Sequence, residues 1–236
     1  MYSQSVLLLA MAAFASPVIA EEEESPWSGT ATLGYLATSG NSENSNLNTG
    51  FEINYTPNQW AHQVEARAIY ATESNATSAE AYRLGWKSER NLTDQDFLFG
   101  RLNWRKDRFS TYESQFSQTV GYGRRLLEQE KHILNIELGV GARQSDLIDG
   151  STTSETILRG GLHYQWALSE TASFTQDLAV EAGDLNTYLE SITALSARLV
   201  GRLALVASYT VKHNSDVLPV TEKTDTFTAL SLEYLF

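Results

Sequence analysis

The chain contains no cysteine, which removes disulfide frameworks and thiolate metal centres at once. It has two methionines, Met1 and Met11, and four prolines, Pro17, Pro26, Pro57 and Pro219, none of them inside a stretch with strand periodicity. Basic residues are the minority. Lys and Arg number 17 against 29 Asp and Glu, a formal charge of -12, so a nucleic-acid partner would be repelled through its phosphates. Beyond residue 20 no run approaches the roughly 20 apolar residues that a spanning helix needs. The mean hydropathy of -0.28 is too polar for a bundle of such helices. A β-barrel escapes that objection, because only alternate residues of each strand meet lipid.

Chemistry-bearing motifs are missing as well. No G-x-S-x-G element supports a serine hydrolase, and Gly139 and Gly141 lie within a strand pattern instead of ahead of a helix. The histidines, His62, His132, His163 and His213, have no metal-ligand spacing with one another or with a carboxylate. Asp146 and Asp149 share one polar stretch, read as a solvated loop in preference to a weak divalent-cation site. No catalytic residue, cofactor or metal is expected. An outer-membrane lipid-modifying enzyme would have to use His213 with a nearby serine.

What is present begins with an export signal. Residues 6–19 are mostly apolar and residues 18–20 are small or modest, predicting a secretory signal over 1–20 with cleavage after Ala20. An uncleaved membrane anchor is the alternative. Residues 21–26 form an acidic leader, solvated by its own repulsion. From Trp27 onward the chain alternates in polarity with period two, in about twelve segments, each long enough to cross a bilayer as a tilted strand. Leu134, Ile136, Leu138, Val140 and Ala142 against Asn135, Glu137, Gly139, Gly141 and Arg143 is the clearest.

An even count places both chain ends on one side of the sheet. Connections near Pro57, Asp94, Gln129, Glu170 and Gly201 are short. Those at residues 73–80, 144–155 and 214–223 read as long polar loops on the opposite, outer side. Aromatic residues gather at the expected rims: Trp27, Tyr55, Trp60, Tyr122, Tyr164, Trp166, Tyr234 and Phe236 at one, and Tyr70, Tyr82, Trp104 and Tyr209 at the other. A β-sandwich would use the same alternation, but charged residues at strand midpoints favour a closed, water-filled interior. The fold expected is an all-β transmembrane antiparallel barrel of about twelve strands over residues 27–236, closed by pairing of the first and last strands.

The end of the chain carries its own signal. Leu230, Leu232, Tyr234 and Phe236 share one face of the final strand and the sequence stops on Phe236. Leu232, Tyr234 and Phe236 resemble the C-terminal assembly signal of bacterial outer-membrane barrels. That resemblance implies outer-membrane lipid and the barrel-assembly machinery as partners.

The opposite parity collects charge. Candidate lumen-lining residues are Glu52, Glu65, Arg67, Arg83, Lys87, Glu89, Arg101, Arg105, Glu137, Arg159, His163, Asp177, Glu190, Arg198 and Arg202. Arg125, Arg143, Lys212, Asp107, Glu181, Asp225 and Glu233 share their parity. The signs nearly balance, which predicts pairing across a narrow interior over a one-signed track for anions. About twelve strands fall between a barrel filled by side chains and an open porin.

Trp27-Ser-Gly29, Gly34 and Ser39-Gly-Asn-Ser42 resemble the opening of the DUF481 family, described as salt-induced outer-membrane proteins. Asn103-Trp-Arg-Lys-Asp107-Arg-Phe109, Gly121-Tyr-Gly123-Arg and Leu138-Gly-Val-Gly-Ala-Arg143 resemble its middle blocks. The resemblance implies an outer-membrane barrel of a Gram-negative envelope and supplies no activity or site. A non-catalytic structural or stress-responsive role is the first expectation, and a narrow small-solute channel the alternative. The sequence fixes no oligomeric state.

Overall fold

A computed structural model describes residues 25–38, 44–74, 76–108, 110–219 and 221–236. The export signal and most of the leader lie outside the described residues, as does the first outer connection at 39–43. Twelve strands form a closed barrel in which each neighbour in sequence is a neighbour in space. They are β1 (Trp27–Thr38), β2 (Asn44–Tyr55), β3 (Trp60–Glu73), β4 (Ala76–Asn91), β5 (Asp96–Asp107) and β6 (Tyr112–Glu128). The remainder are β7 (His132–Leu147), β8 (Thr152–Ala167), β9 (Ala172–Gly183), β10 (Thr187–Val200), β11 (Leu203–Asn214) and β12 (Thr224–Leu235). All pairings are antiparallel, so the up-and-down order needs only short turns.

Polarity is inverted relative to a water-soluble domain. Leu138, Leu158 and Val120 stand outward at strand midpoints with 64–68% of their surface exposed. The buried set is instead largely polar, including Arg143, Glu181, Ser117, Thr119 and Ser145. An apolar band of this extent around a closed sheet is a surface for hydrocarbon, not water. Its edge at the chain termini is aromatic: Trp27 stacks on Tyr55 at 4.2 Å, Trp60 on His62 at 5.9 Å, and His132 between Tyr164 and Trp166. His132 Nδ1 also meets the Tyr164 hydroxyl at 2.9 Å.

The outer connections differ from expectation at two places. Residues 73–80 and 144–155 are not long loops. The β3–β4 ladder continues to Glu73 opposite Ala76, and the β7–β8 ladder to Asp146 opposite Thr152. Polarity on both faces there marks the strands leaving the apolar band, where ladder pairing continues to serve the backbone. Asp146 accordingly accepts from Ser114 and Thr152 across its neighbouring strands. Asp149 sits in the turn, held below the usual carboxylate range by the Ser151 hydroxyl and amide, and the two acids do not converge on a common point. The tight turn near Gly201 is Gly201-Arg202, with Gly201 at φ 55°, so Arg202 lies outside β11.

Closure is the weakest ladder. β1 and β12 pair at four positions, from Thr30–Leu235 to Leu33–Leu232, whereas β1 and β2 pair along their full length. Phe236 extends the seam by exchanging two backbone bonds of 3.0 Å with Gly29. Its ring crosses Gly29, where a Cβ would lie 2.6 Å from it, and stacks on Phe51 at 6.0 Å. A glycine is therefore required under the terminal aromatic.

Candidate functional site: the barrel interior

Period-two geometry sends one parity of every strand inward, and the ladder registers decide which inward residues meet. Arg67, Arg83 and Arg105 are direct neighbours across β3, β4 and β5. Three like charges side by side need compensation, and it comes from the far wall. Arg83 binds Glu190 of β10 through Nη1 and Glu65 of β3 at 3.2 Å. Arg105 donates to Glu181 of β9 at 2.7 Å and to Gln115 at 2.8 Å, with Tyr188 lying 3.7 Å from its guanidinium. β4 and β10 are six strands apart in a ring of twelve, so the Arg83–Glu190 pair crosses the whole interior.

A second group fills the side toward β7 and β8. Lys87 binds both Glu89 and Glu137, and Glu137 also receives Arg101 at 3.7 Å and Arg159 at 3.8 Å. Arg125 reaches Glu89 at 3.5 Å and Asn91 at 2.9 Å. Arg143 has no exposed surface. It holds Glu155 at 2.6 Å, Glu181 at 3.5 Å and the carbonyl of Asn186. Charges so deeply placed persist only when paired and hydrogen-bonded.

Other members of the sequence-derived set stand apart from these crosslinks. Arg67 is half-exposed and approaches Glu65 only to 3.6 Å. His163 and Asp177 form their own pair at 2.6 Å. Glu52 accepts from Asn54 at 3.0 Å. Arg198 and Arg202 are exposed at the end of the barrel that carries the termini, away from the crossing pairs.

Apolar residues inside the barrel were not among the expected lining. Phe97 and Phe99, of the same parity as Arg101 and Arg105, are 1% and 4% exposed. Their rings occupy the space left by inward glycines on β6 and β7: a Cβ at Gly123 would fall on the Phe97 ring, and one at Gly139 would lie 3.0 Å from Phe99. Lys87 lies 5.4 Å and 5.9 Å above these rings, and Arg125 lies 4.9 Å from Phe97. Parity and the Gly121-Tyr-Gly123 and Gly139-Val-Gly141 patterns were the available signal.

These fillings leave the interior lopsided. One cavity of about 650 Å³ runs beside the Arg83–Glu190 crossing, against small and hydroxylated residues such as Thr32, Ala194, Ser208 and Thr210. Its lining includes Ser169 and Arg198 at the end with the termini, and Asp107, Tyr112 and Asn214 at the opposite end. A second cavity of about 330 Å³ lies near the Pro57 end, against His163, Lys87 and Glu137. Among the described residues no group of three His, Asp or Glu side chains forms a cation cage.

A family model described as "Protein of unknown function, DUF481" matches residues 31–236. The uncharacterized protein YdiY of Escherichia coli (strain K12) is 32% identical over 210 residues, covering 89% of this chain and 83% of YdiY. Among solved structures, the NanC porin is similar with a TM-score of 0.51 at 10% identity, covering 88% of this chain and 97% of its own. The translocator domain of the autotransporter NalP from Neisseria meningitidis gives 0.51 at 12% identity, covering 92% and 90%. At such identities the structural likeness concerns the fold.

Proposed function

The chain belongs to the DUF481 family, and for it we propose an outer-membrane β-barrel whose interior is a narrow passage for small solutes. The observation that carries this reading is the 650 Å³ cavity whose lining reaches both ends of the barrel. A barrel closed for structural reasons alone has no need of it, since a ring of twelve strands can be filled by side chains as its β5–β9 side is. The paired arginines and glutamates act as crossbars that hold the walls together and confine solutes to the β10–β12 and β1–β2 side. Because each basic group on the crossing is neutralised, the passage suits small polar solutes better than long anionic chains.

In this reading the apolar outer band meets outer-membrane lipid, residues 1–20 direct export with cleavage after Ala20, and the barrel-assembly machinery reads Leu232, Tyr234 and Phe236. No catalytic step is assigned. His213 meets Thr224 Oγ1 at 2.8 Å, not a serine nucleophile. Liposome swelling with purified, folded protein tests the proposal. Swelling in small sugars that fades as solute size rises is the expected result. Absence of swelling for every solute leaves the structural, stress-responsive envelope role in its place.

A further inference from the structure

The smaller cavity, of about 330 Å³, is bordered by two arginines that lack hydrogen-bond partners. Arg159 of β8 has 6% of its side chain exposed and Arg101 of β5 has 12%. Nε of each is buried and donates to nothing. Their nearest carboxylate is Glu137, at 3.7 Å from Arg101 and 3.8 Å from Arg159, beyond hydrogen-bond length in both cases. Among the described residues neither guanidinium has a hydrogen-bonded acceptor.

The ladder explains why the protein supplies none. Arg159 stands between Gly139 of β7 and Glu181 of β9. Glycine offers no side-chain acceptor, and Glu181 is taken by Arg105 at 2.7 Å, Arg143 at 3.5 Å and the Ser117 hydroxyl at 3.1 Å. Arg101 stands between Lys87 of β4 and Thr119 of β6 and bonds neither. Lys87 is a like charge that also holds Glu137. Gly161, opposite Glu137 on β8, lines the cavity, and a Cβ there would come within 3.6 Å of Arg159 Nη2. The Arg159 fork therefore borders the cavity beside this glycine.

The other carboxylates around the cavity are committed. Glu65 and Glu190 hold Arg83, Glu89 holds Lys87 and Arg125, and Asp177 holds His163. Glu52 faces the cavity from β2, six strands from β8 in the ring, and accepts from Asn54. Across β4 to β8, four cations, Lys87, Arg101, Arg125 and Arg159, thus share two carboxylates, Glu89 and Glu137. Water in the cavity accepts hydrogen bonds but leaves that charge in place. An excess of two positive charges, deeply placed and short of acceptors, is the complement of a small dianion.

We propose that this cavity binds a small oxyanion of the phosphate or sulfate class, held by Arg101 and Arg159 with Lys87 beside them. Its lining includes Thr56, Ala61 and His62 at the β2–β3 turn, so the anion enters from the end that carries the termini. The Arg83–Glu190 crossing borders it on the inner side. A volume of about 330 Å³ holds one such ion with a few waters and excludes a long chain. The site stands whether or not the larger cavity conducts.

Isothermal titration of the folded protein in detergent with inorganic phosphate, at constant ionic strength, tests the proposal. Wild type is expected to bind saturably, with one ion per barrel and with sulfate competing. Arg159→Met and Arg101→Gln are each expected to weaken binding by about tenfold or more. Arg108→Gln, at an arginine 63% exposed just beyond β5, is expected to leave it unchanged. Phosphate should also raise the unfolding temperature of wild type and not that of Arg159→Met. If one arginine variant fails to fold, the other carries the comparison, and the wild-type titration depends on neither. No saturable binding by folded wild type overturns the site. Unchanged binding in the folded arginine variants, or an equal loss in Arg108→Gln, overturns it as well.

Discussion

Arg83 of β4 and Glu190 of β10 join opposite walls of the barrel directly, with Glu65 bound to the same guanidinium at 3.2 Å. The contact is direct, between side chains six strands apart in the ring. Removing one partner strands the other charge among groups already committed elsewhere, at a cost of about 3–5 kcal/mol. Arg83→Met is therefore expected to unfold at markedly lower denaturant concentration in detergent or lipid. The Arg83→Met, Glu190→Gln pair should lose less than the sum of the single variants. Additive losses in that double-mutant cycle would show that the two residues do not interact.

Gly123 and Phe97 form a second dependency. A side chain at Gly123 would occupy the volume of the Phe97 ring, and overpacking of this kind costs about 1–3 kcal/mol. Gly123→Val should destabilise the barrel, and adding Phe97→Ala should return part of the loss. If Phe97→Ala deepens the defect of Gly123→Val, the ring is not what the glycine accommodates.

Leu138 and Thr210 separate the two faces of the sheet. Leu138 is among the most exposed apolar residues of the outer band, and Thr210 lines the open cavity. An arginine facing lipid near the midplane costs about 2–4 kcal/mol, whereas a lumen substitution chiefly tunes permeation. Leu138→Arg should impair folding into vesicles, and Thr210→Arg should fold normally and alter conductance. The reverse outcome would place the outer band in water.

The four-rung seam between β1 and β12 predicts where the barrel opens first. Amides in the outer parts of these two strands should exchange with solvent ahead of those of β6, β7 and β8, measured by hydrogen exchange in micelles. Deleting Phe236 removes its two bonds to Gly29 and its stack on Phe51, and should slow assembly as read by the heat-modifiable gel shift. Uniform exchange around the ring, or normal assembly of the truncated chain, contradicts this view of the seam.

Strand count and facing were legible because period-two alternation is local: Leu134 to Arg143 declares its inward and outward faces without reference to any partner. Strand ends were less so. Residues 73–80 and 144–155 lose the apolar signal on leaving the lipid band, yet their backbones stay paired to Glu73–Ala76 and Asp146–Thr152. Charge balance along the inward parity foretold pairing, but which charges pair depends on the ring. Arg83 and Glu190 are 107 residues apart, and only closure puts β4 opposite β10. Phe97 and Phe99 were hidden by the habit of assigning aromatics to lipid. Their parity with Arg101 and the facing glycines were the counter-signal.

The account turns on where the open passage runs, and Ala194 lies on its wall. The natural chain has no cysteine, so an Ala194→Cys variant offers a single thiol for a bulky, water-soluble thiol reagent. Planar-bilayer conductance measured as the reagent is added is the most direct test. A passage along β10–β12 predicts a fall to about half or less in the variant and no change in wild type. Unchanged conductance of a fully labelled, folded variant would contradict it.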